Sequence, residues 1–369
     1  MYNRLDRTKK KEIRIQLGTA SVVYKQFLYF SGVGINGMFR TDLGSGETFF
    51  IKEFSQETDG FQLHGSAFIR AGKVWLVPRD GQKLACFDLE NYEIEYYDLP
   101  FSDKKVPKSI AGISKFMAAR WDDNRFFVTS IFSNSIVLVN MENREITEYS
   151  DVLLDEEIAS YCTIGMGCLW ITLVEGGRLL SIDLESKTIR RIECDSFMYG
   201  YSGIVSYEGK LWFAPRKADN IMYYDPSKEM FGRLYLCNAY SEARTYRAMA
   251  VNRGKLYVLP FNADKFFTID THEDYSVNMI DISDKEISYM IDIESDTNLF
   301  YISTGGCGKL IQIDETNIAK SIEIRIDSEL LVKLLIRNYG LNNIHKYWGD
   351  GVKIIREKDL GLSGFIEII

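Results

Sequence analysis

Residues 209–225, GKLWFAPRKADNIMYYD, read as a tight turn, a strand centred on Trp212, a loop and a second strand that ends in Asp225. The same arrangement returns along the chain. The position of Trp212 is filled by an aromatic residue with apolar neighbours seven times, at Tyr29, Trp75, Phe127, Trp170, Trp212, Tyr257 and Phe300. The steps between them are 46, 52, 43, 42, 45 and 43 residues. Repeats of about 40–50 residues are typical of four-stranded units arranged around an axis.

A polar residue closes the strand that follows each aromatic residue: Asp42, Asp88, Asn140, Asp183, Asp225, Asp270 and Asp314. The spacing is 13 residues in six cases and 14 in the last, where we assign the extra residue to the glycine-rich run 303–308. Asp and Asn side chains accept hydrogen bonds from backbone N–H groups in turns. We therefore interpret both series as structural, with a carbohydrate-stacking or catalytic role as the alternative.

Each unit contains four short strands, which we call a, b, c and d from the axis outward. In the second unit they are expected at 66–70, 74–77, 83–88 and 92–97, separated by turns with Gly, Asn or Asp. One such sheet cannot bury both faces, so the units must stack with the aromatic residues between them. The sequence predicts an all-β chain: a seven-bladed β-propeller of four-stranded antiparallel blades.

The ring is expected over 12–326, after a disordered tail at 1–11. Residues 12–17 either pair with the last blade or extend the first inner strand. The basic connection 100–114 is either a flexible excursion or a functional loop. A C-terminal extension over 327–369 is predicted to hold a helix at 328–340, with Ser328 as its cap, and strands at 352–356 and 364–369. It packs on the ring, closes it, or binds a partner.

Composition narrows the classes of function. The formal net charge of −8 argues against a nucleic-acid surface, because phosphate binding needs clustered Lys and Arg. No signal peptide or membrane span is visible in the sequence. The six cysteines have no CxxC spacing, so we expect reduced, buried thiols in a cytoplasmic protein and no zinc site.

The a–b and c–d turns are short and repetitive, whereas the b–c loops and the d-to-a connections are longer and differ between blades. Both of these open on the same side, which we call the upper face, and a pocket is expected there around the mouth of the central channel. Pro-Arg occurs at equivalent places, at 78–79 and 215–216, and Arg suits carboxylate or phosphate. The candidate ligand-binding residues are Arg79, Arg120, Tyr161, Tyr201, Arg216, Lys217, Tyr246, Arg247 and Tyr289. The alternative is that these charges pair with neighbouring Asp and Glu.

Only three histidines exist, and His64 is the one that we expect at the mouth; His272 falls in a c–d turn and His345 in the C-terminal extension. No GxSxG, HExxH or P-loop pattern occurs. His64 is therefore the catalytic candidate, with a structural role as the alternative.

The pattern LeuTrpPhe…AsnIleMetTyrTyrAsp in 211–225 resembles the repeat of bacterial seven-bladed propellers of the virginiamycin B lyase-like type, and more loosely that of WD40 and Kelch propellers. The resemblance covers nearly the whole ring and implies the fold. For the lyases it also implies a His and carboxylates around Mg²⁺ at the mouth. Of these residues only the His has a counterpart in this sequence, which is His64.

Two functions follow as hypotheses. The first is a non-catalytic binding module without a cofactor, whose upper face holds a protein, a peptide, or an anionic or glycan ligand. The second is a propeller enzyme, a metal-assisted lyase or hydrolase that uses His64 and a divalent metal at the mouth.

Overall fold

The computed structural model describes residues 12–57, 61–100, 116–173, 178–194, 201–215, 220–235, 246–260, 265–271, 275–281, 289–295, 299–305, 308–313 and 319–340. The expected tail at 1–11, almost all of the connection 100–114 and the expected strands at 352–356 and 364–369 lie outside these residues.

Seven four-stranded antiparallel sets of strands follow one another in the described residues; five are separate sheets, and two are joined through β2 and β26 within a ten-stranded sheet. Each set is given in the order a, b, c, d. The first three are β2 (Leu17–Tyr24), β3 (Phe27–Gly32), β4 (Met38–Asp42) and β5 (Glu47–Lys52); β6 (His64–Arg70), β7 (Lys73–Pro78), β8 (Lys83–Asp88) and β9 (Ile94–Asp98); and β10 (Phe116–Arg120), β11 (Arg125–Ser130), β12 (Ile136–Asn140) and β13 (Ile146–Tyr149). The last four are β14 (Ala159–Gly165), β15 (Cys168–Leu173), β16 (Arg178–Asp183) and β17 (Ile189–Glu193); β18 (Tyr201–Tyr207), β19 (Lys210–Pro215), β20 (Asn220–Asp225) and β21 (Met230–Tyr235); β22 (Tyr246–Asn252), β23 (Lys255–Pro260), β24 (Lys265–Asp270) and β25 (Ser276–Asp281); and β26 (Tyr289–Ser295), β27 (Phe300–Gly305), β28 (Lys309–Ile313) and β29 (Ala319–Glu323). The remaining elements are β1 (Glu12–Arg14), β30 (Arg325–Asp327) and α1 (Ser328–Tyr339).

The inner strands form a closed cycle. Cα atoms of β2, β6, β10, β14, β18, β22 and β26 approach within 8 Å from each strand to the next, and β26 meets β2 again. The last contact is a short parallel pairing of Val22 with Glu294. The seven sets are therefore blades of one ring, numbered here in chain order.

The aromatic series is buried between blades, as predicted. Trp75 and Trp212 are at most 1% exposed, and each pairs with the residue two positions before the polar residue of its blade. In blade seven that partner, Gln312, faces Tyr301, which is 3% exposed, and not Phe300. The assignment of Phe300 is thus wrong by one residue, and the spacing from Tyr301 to Asp314 is the usual 13. The run 303–308 adds no residue to that spacing.

Five members of the polar series accept hydrogen bonds in the c–d turns, and Asp314 lies outside the described residues. Asp42 Oδ1 accepts hydrogen bonds from the backbone N–H groups of Gly44 and Ser45, both at 2.9 Å. Asp183 Oδ1 accepts from Glu185 and Ser186 at 3.1 and 2.7 Å. These turn bonds hold the pKa of the Asp42 and Asp183 carboxyls below the ordinary value. Asp88, Asn140 and Asp225 make the same contacts.

Both ends of the described chain meet between blades seven and one. After β29, strand β30 pairs in parallel with the outer strand β5 of blade one, and β1 pairs antiparallel with β30. Leu17 then begins the inner strand of blade one. Residues 12–14 thus pair with β30 at the outer edge of blade one and not with the last blade, whereas Leu17 belongs to the inner strand of blade one, as the second expectation has it.

The C-terminal helix begins directly after β30 and packs on the same junction. Leu331, Leu334 and Leu335 are buried in one cluster with residues of blades one and seven, among them Phe39 and Leu310. The N-cap is Asp327, whose side chain accepts a hydrogen bond from Leu330 N at 3.0 Å, so the prediction of Ser328 as the cap is wrong by one residue. Gly340 ends the helix at φ 71°, as expected. No helix among the described residues has the length and apolar character to cross a bilayer.

Candidate functional site

The upper ends of the inner strands are irregular in at least five blades. Pairing with strand b shifts register between Leu17 and Ser21, His64 and Ser66, Ala159 and Cys162, Ser202 and Ile204, and Tyr246 and Ala248. A β-bulge bends its strand and redirects side chains, and bulges often lie beside functional sites. We call this set of bulges the upper rim.

A hydrogen-bonded cluster lies on the rim between blades one and two. The Gln62 side chain is almost fully buried; its Nε2 donates to Thr19 Oγ1 at 2.7 Å, and its Oε1 accepts from Arg79 Nη1. Gln62 N donates to Asp80 Oδ2 at 2.8 Å. Backbone bonds from Arg79 N to Leu63 O and from Asp80 N to Gln62 O fix the two segments side by side. The guanidinium of Arg79 is thus positioned by neutral groups.

Unlike Arg120, Arg144 and Arg191, Arg79 forms no ion pair with a described residue. Its side chain is half-buried, and no described carboxylate lies within 4.0 Å of its guanidinium. Asp80, the adjacent acid, is directed to Gln62 N instead. The mouth therefore carries a guanidinium whose charge is not neutralised by a described side chain.

The structure corrects the placement of Arg120. Arg120 ends β10 and lies on the face of the a–b turns, opposite the upper rim. Its Nη1 reaches the Glu294 carboxylate of blade seven at 2.7 and 3.0 Å and Ile69 O of blade two at 3.3 Å. Arg120 ties three inner strands together at the lower end of the channel. The sequence misplaced it because the long connection before β10 hides where that inner strand begins.

The tyrosine candidates separate into core and rim positions. Tyr246 is 4% exposed, and its ring centroid lies 5.3 Å from that of Phe267, so it belongs to the core between blades five and six and does not line the mouth. Tyr161 lies in the bulge of β14 and is half-buried, with its backbone N–H donating to Thr172 Oγ1 at 3.0 Å. Of the tyrosines with described side chains, Tyr161 is the one at the rim.

Several candidates cannot be placed by side chain. The backbones of Tyr201, Arg247 and Tyr289 lie at the upper ends of β18, β22 and β26, but their side chains are not described. Arg216, Lys217, His272 and His345 fall outside the described residues. Their roles stay predictions.

His64 begins one of the bulges of the upper rim, but its side chain lies in the protein interior. It is fully buried, its Nδ1 is 2.9 Å from Ser31 Oγ, and its ring centroid is 4.6 Å from that of Phe54. Burial lowers the pKa of His64 to about 3, so the imidazole is neutral at physiological pH. The ring is placed for packing and not for contact with a ligand in the mouth.

No three His, Cys, Asp or Glu side chains converge as a metal site within the described ranges. Cys86, Cys162, Cys168 and Cys194 are free thiols. Burial raises the pKa of Cys86 to about 12, so it is protonated at neutral pH and a poor nucleophile.

Sequence reasoning found Arg79 but missed the residues that position it. Gln62 and Thr19 belong to no motif, and the hydrogen bond between their side chains joins residues that are 43 positions apart in the sequence. Glu294 was missed for the same reason, because its partner Arg120 lies 174 residues away.

The ring has many counterparts among solved structures. A catalytically inactive histidine-to-alanine variant of virginiamycin B lyase from Staphylococcus aureus, with quinupristin, is 15% identical with a TM-score of 0.60, over 81% of this chain and 94% of that one. A streptogramin B lyase is 12% identical with a TM-score of 0.61, over 79% and 92% of the two chains. The fold is a β-propeller, with seven blades among the described residues.

A third propeller shows how widely this fold is shared. The extracellular domain of BT4673 from B. thetaiotaomicron is 10% identical with a TM-score of 0.54, over 80% of this propeller and 40% of that chain. No family model and no curated protein matches the sequence. At these identities the likeness concerns the fold, and the function must be argued from the site.

Proposed function

We propose that this propeller is a binding module that holds an anionic group of a protein, peptide or glycan at its upper mouth. The observation that carries the proposal is the guanidinium of Arg79, which has no carboxylate of a described residue within 4.0 Å and is fixed by Gln62 beside the bulge of β6. Arg binds carboxylates and phosphates through two parallel hydrogen bonds. Because Gln62 already holds one guanidinium nitrogen, less side-chain entropy is lost when a ligand binds.

The segment that holds Arg79 also carries an exposed apolar side chain. Phe61 precedes Gln62 and is 42% exposed, and its carbonyl accepts a hydrogen bond from Gly34 N. An exposed aromatic residue adjacent in sequence to the hydrogen-bond partner of Arg79 suits a ligand that joins an anionic group to a sugar ring or an apolar side chain. The overall charge of −8 does not oppose this, because recognition depends on the local field.

The position of His64 favours binding over catalysis by that residue. The lyases share the fold, and the inactive lyase variant carries a His substitution, but His64 here is buried and neutral. If His64 nevertheless acts in catalysis, His64→Ala will abolish an activity that a screen detects in the wild type.

Calorimetry with matched ligands tests the proposal. The members of each pair differ only in carboxylate charge: a peptide with a free C-terminal carboxylate and its amide, and oligogalacturonate and its methyl ester. We expect the charged member to bind and Arg79→Ala to weaken it about tenfold or more, since a charge-assisted hydrogen bond contributes about 1.5–3 kcal/mol. Arg79→Lys should restore binding only in part, because an ammonium lacks the fork.

The matched control is Arg190→Ala, which removes an exposed guanidinium of the outer strand β17 that pairs with Glu229 in the c–d turn of blade five. It should bind like the wild type. Adding Arg216→Ala to Arg79→Ala tests whether the second Pro-Arg contributes. Equal binding by wild type and Arg79→Ala, or equal binding of charged and neutral ligands, would end the proposal.

A further inference from the structure

In five of the described c–d turns, those of blades two to six, one residue reaches from its own blade to the blade before it. These residues share a positive φ: Tyr92 (60°), Arg144 (63°), Lys187 (62°), Glu229 (51°) and Tyr275 (59°). Arg144 pairs with Glu95 of blade two, and Glu229 with Arg190 of blade four, both at 2.7 Å. We call this place in the turn the bridging position.

At two junctions the bridging residue is a tyrosine whose ring packs into the groove between blades. The Tyr92 ring packs against the cluster that holds Tyr29 of blade one and Phe87 of its own blade, and its hydroxyl accepts from Arg40 Nη1 at 2.9 Å. The Tyr275 ring centroid lies 5.7 Å from that of Trp212 of blade five. The protein itself thus shows that a phenol ring fits this kind of groove.

The bridging residue between blades three and four is Lys187, and it leaves the groove open. Lys187 Nζ donates to Leu184 O at 2.7 Å and lies 4.9 Å from the centre of the Tyr149 ring. A cavity of about 260 Å³ remains, half-enclosed and open to solvent. We call it the 3/4 groove; it is lined by Phe127, Ile136, Tyr149, Ser150, Val152, Ile182, Leu184, Lys187 and Ile189.

The walls of the 3/4 groove correspond to those that hold Tyr92. Phe127 occupies the place of Tyr29 in strand b, and Ile182 the place of Phe87 in strand c. Phe127 and Ile182 are buried from bulk solvent yet face the cavity. An apolar cavity of about 150 Å³ is large enough to bind benzene, so the 3/4 groove has room for a phenol ring.

We propose that the 3/4 groove is a docking site for an aromatic side chain of a partner polypeptide. The aromatic ring of the partner takes the place that Tyr92 and Tyr275 fill at their junctions, and its polar edge lies near the ammonium of Lys187. The walls supply apolar contact, which drives burial of an aromatic anchor. The site is separate from the upper mouth and does not depend on its ligand.

Titration of the full-length protein with p-cresol, the tyrosine side-chain analogue, tests the groove by methyl NMR. We expect a Kd on the order of 1 mM, with shifts concentrated on the methyl groups of Ile182, Leu184 and Ile189. No binding at several times that concentration, or shifts centred elsewhere, would overturn the proposal. This mapping needs no variant and so stands if a substitution fails to fold.

Lys187→Tyr fills the groove from within the chain. The variant should bind p-cresol at least tenfold more weakly and melt higher, by about 1–2 °C, because it buries an added ring. Arg144→Tyr is the control: the same substitution at the bridging position of another junction, which leaves the 3/4 groove open and p-cresol binding unchanged. Undiminished binding by a folded Lys187→Tyr would contradict the assignment.

Two short peptides test whether the occupant of the 3/4 groove is a polypeptide or a small molecule. Acetyl-Gly-Tyr-Gly-amide should shift the same methyl groups as p-cresol, and acetyl-Gly-Leu-Gly-amide should not. If only free p-cresol binds, the groove takes a small phenol and the docking proposal is wrong. If sedimentation shows a dimer that Lys187→Tyr dissociates, a second copy of this chain occupies the groove, which also overturns it.

Discussion

At the scale of single residues, the buried aromatic of strand b joins neighbouring blades. Trp212 is 1% exposed, and its ring centroid lies 5.1 Å from Tyr223 in its own blade and 5.7 Å from Tyr275 in the next. Its indole N–H donates to Tyr207 O at 3.3 Å, so the one polar atom of the side chain is satisfied. The residue serves packing at two sheets at once.

Trp212→Ala should therefore destabilise the ring strongly. Removal of a buried Trp side chain costs about 3–5 kcal/mol through lost burial and the cavity left behind, and urea unfolding measures it. Trp212→Phe should cost less, and Met230→Ala, at a side chain 62% exposed, should change the free energy of unfolding by less than about 0.5 kcal/mol. A Trp212→Ala protein as stable as the Met230 variant would refute the packing role.

At the scale of elements, β30 and α1 attach the end of blade seven to blade one. Ile324 N donates to Gly308 O at 2.8 Å, and Arg325 N donates to Gly46 O at 2.8 Å, so one short segment holds both blades. The helix covers this junction with Leu331, Leu334 and Leu335, and Tyr339 Oη donates to Gly34 O at 2.6 Å. The helix is thus part of the ring's packing.

Loss of the helix cap should loosen this attachment. Asp327→Ala removes the acceptor for Leu330 N and should lower the free energy of unfolding by about 0.5–2 kcal/mol. Asp327→Asn keeps an acceptor oxygen and should cost little. Denaturant titration compares the three proteins, and equal destabilisation by Ala and Asn would show that the cap bond is not responsible.

At the scale of the whole molecule, Arg120 and Glu294 connect blades three and seven across the lower end of the channel. The Glu294 side chain is 24% exposed. Its burial raises its pKa to about 7, against the opposing effect of the Arg120 charge and of hydrogen bonds from Ile69 and Arg120; the nearby Asp123 adds to the rise. Burial outweighs the charge of Arg120, so the pKa of the Glu294 carboxyl lies near neutral pH.

The raised pKa predicts the sign of a pH effect on stability. A carboxyl that binds its proton more tightly in the folded state stabilises the fold below its ordinary pKa and loses that contribution as the pH rises to about 7. Between pH 5 and pH 8 the wild type should lose on the order of 1–3 kcal/mol relative to Glu294→Gln, which does not titrate.

Chemical denaturation at the two pH values checks this effect. The control is Glu193→Gln, whose parent carboxylate pairs with Arg178 and is 74% exposed, and it should show no such trend. If the wild type instead gains stability relative to Glu294→Gln on going to pH 8, the Arg120 charge outweighs burial, and the direction given for the pKa is wrong.

The sequence by itself predicted the β-propeller fold, the buried aromatic series and the polar c–d turns. Its count of seven blades agrees with the seven sets of strands in the described residues. These features are local: an aromatic residue and a turn residue 13 positions apart need only their own hairpin to find each other. The shift from Phe300 to Tyr301 and from Ser328 to Asp327 arose where two neighbouring residues fit the pattern equally well and only pairing or capping geometry distinguishes them.

Only the tertiary structure decided which side chains meet around the channel and between blades. The Gln62 contact that positions Arg79, the Arg120–Glu294 pair and the open groove beside Lys187 each depend on more than one strand or blade. No spacing in the chain encodes these contacts, because closure of the ring brings together residues far apart in sequence. The position of each side chain in the closed ring then sets whether a charge such as Arg79 meets a neutral amide or, like Arg120, a carboxylate.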